Sequence, residues 1–292
     1  MKFLGFVLLL VTWRAYGFDW PVLEIDVTAT FCEHRGDHFH TGIDLAGGGQ
    51  NVYPIAAGEI IFTHREREYS SVPVGLGNFV VIEHQGGIRS AYSHLSDGSV
   101  PVDTEQVVSS DVIGIVGDTG SSYGNHLHLA IIDTEMSAYL NPLSVLPPQE
   151  NLLAPVVRRV FLRIEQGELL EIRGDQAVRG RRIVPPAQIE VLAEIYDLRE
   201  KTDFIWKVAP HSILVYGNGI ELNEISFSSL REEGGRLVLS DTGRSFAETY
   251  YSLWVYRLSS MNLTRGELHV QIMVDDYYAN ETSQEVFLTV RD

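Results

Sequence analysis

The chain has 292 residues, 45% of them hydrophobic, which is enough to build two ordinary domains with cores of their own. Its formal charge is −17, and residues 18–150 hold 18 acids against four arginines and no lysine, a net of −14. That balance argues against nucleic acid as a partner and disfavours adhesion to anionic membranes, since both need a basic footprint. A single cysteine, Cys32, rules out an internal disulfide.

In chain order, residues 1–17 read as an export signal: Lys2, an apolar run through Val11, and small residues around a cut after Gly17. The run is short for a bilayer span, so no stable membrane anchor is expected once it is removed. Residues 18–148 read as one domain, within which residues 50–133 alternate apolar runs with Gly, Asn and Asp turns. Examples are Asn78-Phe-Val-Val-Ile-Glu-His84, Ile88-Arg-Ser-Ala-Tyr-Ser-His94 and Val112-Ile-Gly-Ile-Val116, and such runs predict strands. The charged stretch from His64 to Pro73 predicts a loop between them. Asn141-Pro142 and Pro147-Pro148 mark a boundary.

Residues 151–292 carry 21 acids and 16 bases, and the half from 149 to 292 reads as a second run of strands. They are expected at Val156–Ile164, Leu169–Arg173, Ile189–Tyr196, Ser212–Tyr216, Gly219–Ser228, Arg236–Leu239, Ala247–Tyr256, Leu268–Val274 and Glu285–Val290. Nine short strands at this spacing suggest an immunoglobulin-like β-sandwich. The expected fold class is therefore all-β throughout. Arg179-Gly-Arg-Arg182 reads as a solvated basic turn, and His211 and His269 are isolated and read as structural or exposed.

Chemistry is concentrated in the first half. His40-Thr-Gly-Ile-Asp44 and His126-Leu-His128 offer imidazoles and a carboxylate, and two imidazoles with one carboxylate can hold a catalytic zinc and leave a position open for water. In a strand, His126 and His128 share one face while Leu127 and Leu129 point into a core. His94 lies between the two motifs. No His-Glu-x-x-His pattern supplies a glutamate base, so histidine must carry the proton chemistry.

From Thr30 to Pro142 the chain resembles the lysostaphin-type, or LytM-like, zinc metallopeptidases, which cut peptides of bacterial cell walls. The resemblance rests on Phe31-Cys-Glu-His-Arg35, His38-Phe-His-Thr-Gly-Ile-Asp44, Val52-Tyr-Pro-Ile-Ala-Ala-Gly58, Gly77-Asn78, Tyr92-Ser-His-Leu95, Gly117-Asp-Thr-Gly120 and Gly124-Asn-His-Leu-His128. Two departures are visible: Cys32 stands where the family usually has Gly, and Leu129-Ala130 replaces the usual Phe-Glu.

The resemblance implies an N-terminal lysostaphin-type metallopeptidase domain with Zn2+ held by His40, Asp44 and His128. It implies catalytic roles for His94 and His126, one as general base and the other as donor to the tetrahedral intermediate, without dividing the two. The implied protein is an exported endopeptidase, periplasmic or extracellular, acting on peptidoglycan peptides. The alternatives are a non-catalytic regulator of other wall hydrolases and an endopeptidase acting on proteins. His38 reads as a groove-rim residue or a partner to the ligands, His84 as structural, and His34 and His64 as exposed. Arg35 reads as a salt bridge or a contact for a substrate carboxylate. Cys32 reads as a small buried thiol, because a fourth protein ligand would close the zinc site. The second half is expected to position the first or bind a protein partner, and a chain ending near Pro148 is expected to keep its metal.

Overall fold

The computed structural model describes residues 17–65, 75–164, 167–172, 187–201, 204–263 and 266–290. The expected export signal up to Tyr16, the polar stretch beyond Arg65 up to Val74 and the 179–182 turn lie outside them. The protein is all-β: among the described residues the helical elements are a 3-10 turn at Pro142–Ser144 and the four-residue helix Phe246–Thr249. None of the described helices is long and apolar enough to cross a membrane.

The first half is organised by one antiparallel sheet. Its strands run Gln106–Val107, Gly58–His64, Asn78–His84, Ile88–Leu95 and His126–Asp133 from edge to centre. The last of these is then flanked by Ile43–Ala46 along its first turns and by Ala138–Leu140 along its end. Burial alternates along Asn78–His84, as period-2 patterning requires for a sheet with one packed face. Ile43, Leu45, Val80, Ile82, Leu127, Leu129 and Ile131 are fully buried and form one core. Burying each such side chain contributes about 1.5–3 kcal/mol, so this face fixes the register that places the polar face.

The second half holds two sheets around a shared core. One contains Leu169–Ile172, Val156–Ile164, Ala187–Lys201, Val255–Leu263 and Tyr250–Ser252, with Phe204–Val208 on the end of the long strand. The other contains Ile220–Ser226, Ser212–Gly217, Gly266–Asp275 and Glu281–Val290. Val191 and Ile195 from the first pack with Ile213, Val215, Ile272 and Val274 from the second. The expected strand Ala247–Tyr256 is broken. Ser245 and Glu248 form a reciprocal capping box that starts the helix Phe246–Thr249, and the chain turns again at Trp254 before Val255.

The two halves are not separate beads. The hairpin Ser229–Glu233 and Arg236–Leu239 leaves the sandwich and pairs with Ala138–Leu140, with Tyr139 opposite Leu230. It thereby extends the first half's sheet. Asn141 anchors the junction: its backbone N–H donates to Ser228 O at 2.9 Å and its side-chain amide donates to Phe227 O at 2.7 Å. In return, Phe31, Cys32 and Phe39 from the first half are buried in the second half's core.

Candidate metal centre and active site

Register brings the first three polar side chains together. Asp44 and His128 are Cα partners on adjacent antiparallel strands, so both project from the same face. His40 reaches the same point from the loop before Ile43. The atoms His40 Nε2, Asp44 Oδ1 and His128 Nδ1 lie 3.0–3.1 Å from one another. Gly42 makes this approach possible: a Cβ there would collide with the Leu129 carbonyl and lie 2.9 Å from His128 Cε1.

The donor set fits a small cation. His40 Nδ1 donates to Thr30 O at 2.8 Å, which leaves the Nε2 lone pair directed at the other two groups. A lone pair, a carboxylate oxygen and a second imidazole nitrogen thus converge on one point, and together they could hold a metal ion. Burial pushes the Asp44 carboxyl up, but the adjacent His40 and His128 imidazoles, when they carry protons in place of a metal ion, outweigh it and hold it well below the usual carboxylate range. Burial also lowers His128, which favours the neutral imidazole that a metal requires. The outer oxygen, Asp44 Oδ2, accepts from Arg35 Nη2 at 2.7 Å.

Two further histidines border the group. The His94 ring lies 4.7 Å from that of His126 and 6.1 Å from that of His128. His126 Nε2 is 3.8 Å from Asp44 Oδ1. His94 Nδ1 donates to Thr119 O at 2.8 Å, and His126 Nδ1 donates to Gly124 O at 2.9 Å. In its neutral form each ring then has the Nε2 lone pair available. Burial lowers His94 to about 4, with neighbouring His126 and His128 adding to the effect against the Thr119 bond. His94 also has φ 63°, a left-handed backbone that costs a non-glycine residue of order 1–3 kcal/mol and is commonly stored at active sites.

Sequence reasoning missed the groups that orient these rings. Thr119 presents its carbonyl to His94 while its hydroxyl donates to Leu95 O at 2.8 Å and accepts from Asn78 N at 2.9 Å. Gly120 sits so close to Gly77 that a Cβ would strike the Gly77 nitrogen. The motifs Gly77-Asn78 and Gly117-Asp-Thr-Gly120 carry this arrangement, so the signal was present without a stated role.

The other candidates are dispersed. His38 is exposed and pairs with Asp37 at 2.7 Å. His84 is buried between Ala57 O and the Ser90 hydroxyl, as a structural residue would be. His64 is buried and stacked on Phe79, and His34 is half-buried against Phe246 and Tyr250, so neither is exposed as expected. His211 packs on Tyr277 and His269 stacks on Phe287. Cys32 is fully buried with φ 63° and stands outside the three-residue metal group. Its left-handed backbone explains why glycine suits the position.

Residues 38–142 match the profile of Peptidase family M23. This segment is an M23 domain. It is 40% identical over 115 residues to the DD-carboxypeptidase/endopeptidase Mpg of Neisseria meningitidis serogroup B, covering 39% of this chain and 24% of that one. It is 32% identical over 137 residues to the murein hydrolase activator NlpD of Escherichia coli K12, covering 47% of this chain and 31% of that one. The matched region thus spans less than a third of either curated relative. A zinc-containing peptidase from Vibrio cholerae is 28% identical with a TM-score of 0.34, covering 39% of this chain and 36% of that one. His40, Asp44 and His128, together with His94 and His126, all lie within the matched segment.

Proposed function

We propose that the protein is an exported zinc metalloendopeptidase that hydrolyses peptide bonds in peptidoglycan. Residues 18–148 form its catalytic unit and 149–292 its accessory unit. The observation that carries the reading is the convergence of His40 Nε2, Asp44 Oδ1 and His128 Nδ1 beside two imidazoles whose Nδ1 atoms are held by the Thr119 and Gly124 carbonyls. The names borne by the relatives of the M23 segment support the substrate class.

In this reading His40, Asp44 and His128 hold the ion. Bound there, zinc supplies Lewis acidity that polarises the scissile carbonyl and acidifies water. His94 and His126 then carry the proton at Nε2. One accepts it from the attacking water, and the imidazolium so formed can pass it to the leaving amine as the C–N bond breaks. The second imidazole, carrying a proton on its own Nε2, donates it as a hydrogen bond to the oxygen on which negative charge develops. The Thr119 and Gly124 carbonyls hold both Nδ1 atoms, so that each ring exchanges its proton at Nε2.

A second reading comes from the likeness to a murein hydrolase activator, in which the fold regulates another hydrolase. One experiment separates the two. Purified mature protein is incubated with wall sacculi, with and without a chelator, and released muropeptides are analysed by mass spectrometry. Chelator-sensitive peptide cleavage supports the enzyme. Zinc-loaded protein that leaves every peptide intact rejects it. Digestion of casein in place of sacculi would move the substrate class to proteins.

A further inference from the structure

The hairpin that delivers His40 is gripped by the far half of the chain. Within it, Cys32 N donates to His40 O at 2.8 Å, His40 N to Glu33 O at 2.9 Å and Arg35 N to His38 O at 3.0 Å. An isolated two-stranded hairpin is marginal in water, so these few bonds do not fix its pose. What fixes it is burial. Phe31, Cys32 and Phe39 are at most 1% exposed, and their surroundings are core residues drawn from positions 160–288.

The grip is specific. Phe246 and Tyr250 form an aromatic cradle: the His34 ring lies 4.9 and 5.2 Å from theirs, and the Phe39 ring 5.4 and 6.1 Å. The buried Tyr250 hydroxyl donates to Cys32 O at 2.8 Å. Thr30, whose carbonyl orients His40, donates through its own hydroxyl to Ala209 O at 3.0 Å. The same hairpin carries Arg35, which holds the outer oxygen of Asp44. Two of the three ligands are therefore oriented by a segment that the second half immobilises.

We infer that the C-terminal half is a structural part of the metal centre, with Tyr250 and Phe246 acting as positioning residues for His40 through the hairpin Glu33–His40. The inference rests on reading His40, Asp44 and His128 as the metal group. It replaces the expectation that a chain ending near Pro148 keeps its metal. Partners that orient metal ligands commonly set affinity by about 10–100-fold, and the same scale is expected here.

The test uses the full-length mature chain and zinc itself. Zinc dissociation constants are measured by chelator competition for wild type, Tyr250→Phe, Phe246→Leu and, as a neighbour control, Tyr251→Phe. Tyr251 is exposed and faces Arg163 and Arg257 rather than the hairpin. The expected result is about tenfold weaker binding for the first two variants and wild-type binding for the control. Cobalt(II)-loaded Tyr250→Phe should also show an altered visible spectrum, a readout that general destabilisation would not move. Folded Tyr250→Phe and Phe246→Leu with wild-type affinity and spectrum would overturn the inference while leaving the peptidase reading intact. A wild-type chain that binds no zinc would overturn both.

Discussion

Asp44 and His128 face one another across two antiparallel strands, with Oδ1 3.0 Å from Nδ1, so strand register itself aligns two of the candidate ligands. A one-residue slip of either strand would send its own member of the pair to the core side of the sheet. Substitutions here should therefore divide by role. Asp44→Ala and His128→Ala should lose zinc and activity together. His94→Ala and His126→Ala should keep zinc and lose turnover by about a hundredfold or more, the scale of acid–base groups. Metal analysis of the purified variants decides, and loss of zinc from His94→Ala with retention in His128→Ala reverses the assignment.

Gly42 lies under the metal group, pressed against the Leu129 carbonyl and the His128 ring. Gly42→Ala should cost about 1–3 kcal/mol, the usual range for overpacking, and should weaken zinc binding as His128 is displaced. Denaturant unfolding and chelator titration on one preparation would measure both. A stable Gly42→Ala protein with wild-type affinity would show that the strands part without moving the ring.

The pH response follows from His94, which burial lowers to about 4. Between about 6.5, the free value, and about 4, the unfolded chain binds a proton that the folded chain does not. This contribution is fully present above 6.5 and is lost as pH falls through that window. Glu33 and Asp197, both raised by burial to about 7, act with opposite sign, losing stability as pH rises toward 7. The His94 share is therefore read as a difference. Metal-free wild type should lose more melting temperature than His94→Gln between pH 7 and pH 5. The imidazole should also stay neutral through the ordinary histidine range, so with His94 as the base the acid limb of activity should lie below about pH 6. An acid limb centred on 6.5 that vanished in His94→Gln would contradict the burial effect.

Cys32 combines complete burial with φ 63°, and burial raises its thiol well above the ordinary range. It should not react with a thiol reagent until the protein unfolds. Cys32→Gly relieves the backbone and removes a packed sulfur, so the two effects should offset within about 1 kcal/mol. Cys32→Val should be clearly destabilising, because a β-branched residue tolerates this conformation poorly. Cys32→Ser should retain zinc. Metal loss in the serine variant would make the thiol a ligand.

Much of the site was legible because its signals are local. His126-Leu-His128 fixes two faces of a strand by alternation alone, and the structure places Leu127 and Leu129 at zero exposure on the opposite side. The all-β class was legible in the same way. What alternation cannot show is a contact between distant segments. Tyr250 and Cys32 are 218 positions apart, and nothing near either predicts their bond. Phe31 and Phe39 look like ordinary core of the first half, yet they belong to the second. The helix at Phe246–Thr249 did have a local mark, Ser245 with Glu248 three residues later, hidden in an apolar stretch that matched a strand. His64 looked exposed because charged residues follow it, whereas its own strand turns it inward.

The shared core also imposes an order in time. A chain emerging from its N-terminus presents the hairpin at residues 33–40 long before Phe246, Tyr250 and the last strands exist to cover it. The first half's own sheet can form early, but the hairpin stays unclamped until the chain beyond Tyr250 has been made. If the second half positions His40 as inferred above, competence to hold a metal tightly arrives only once that segment has been made, and a chain cut short before it is born disarmed.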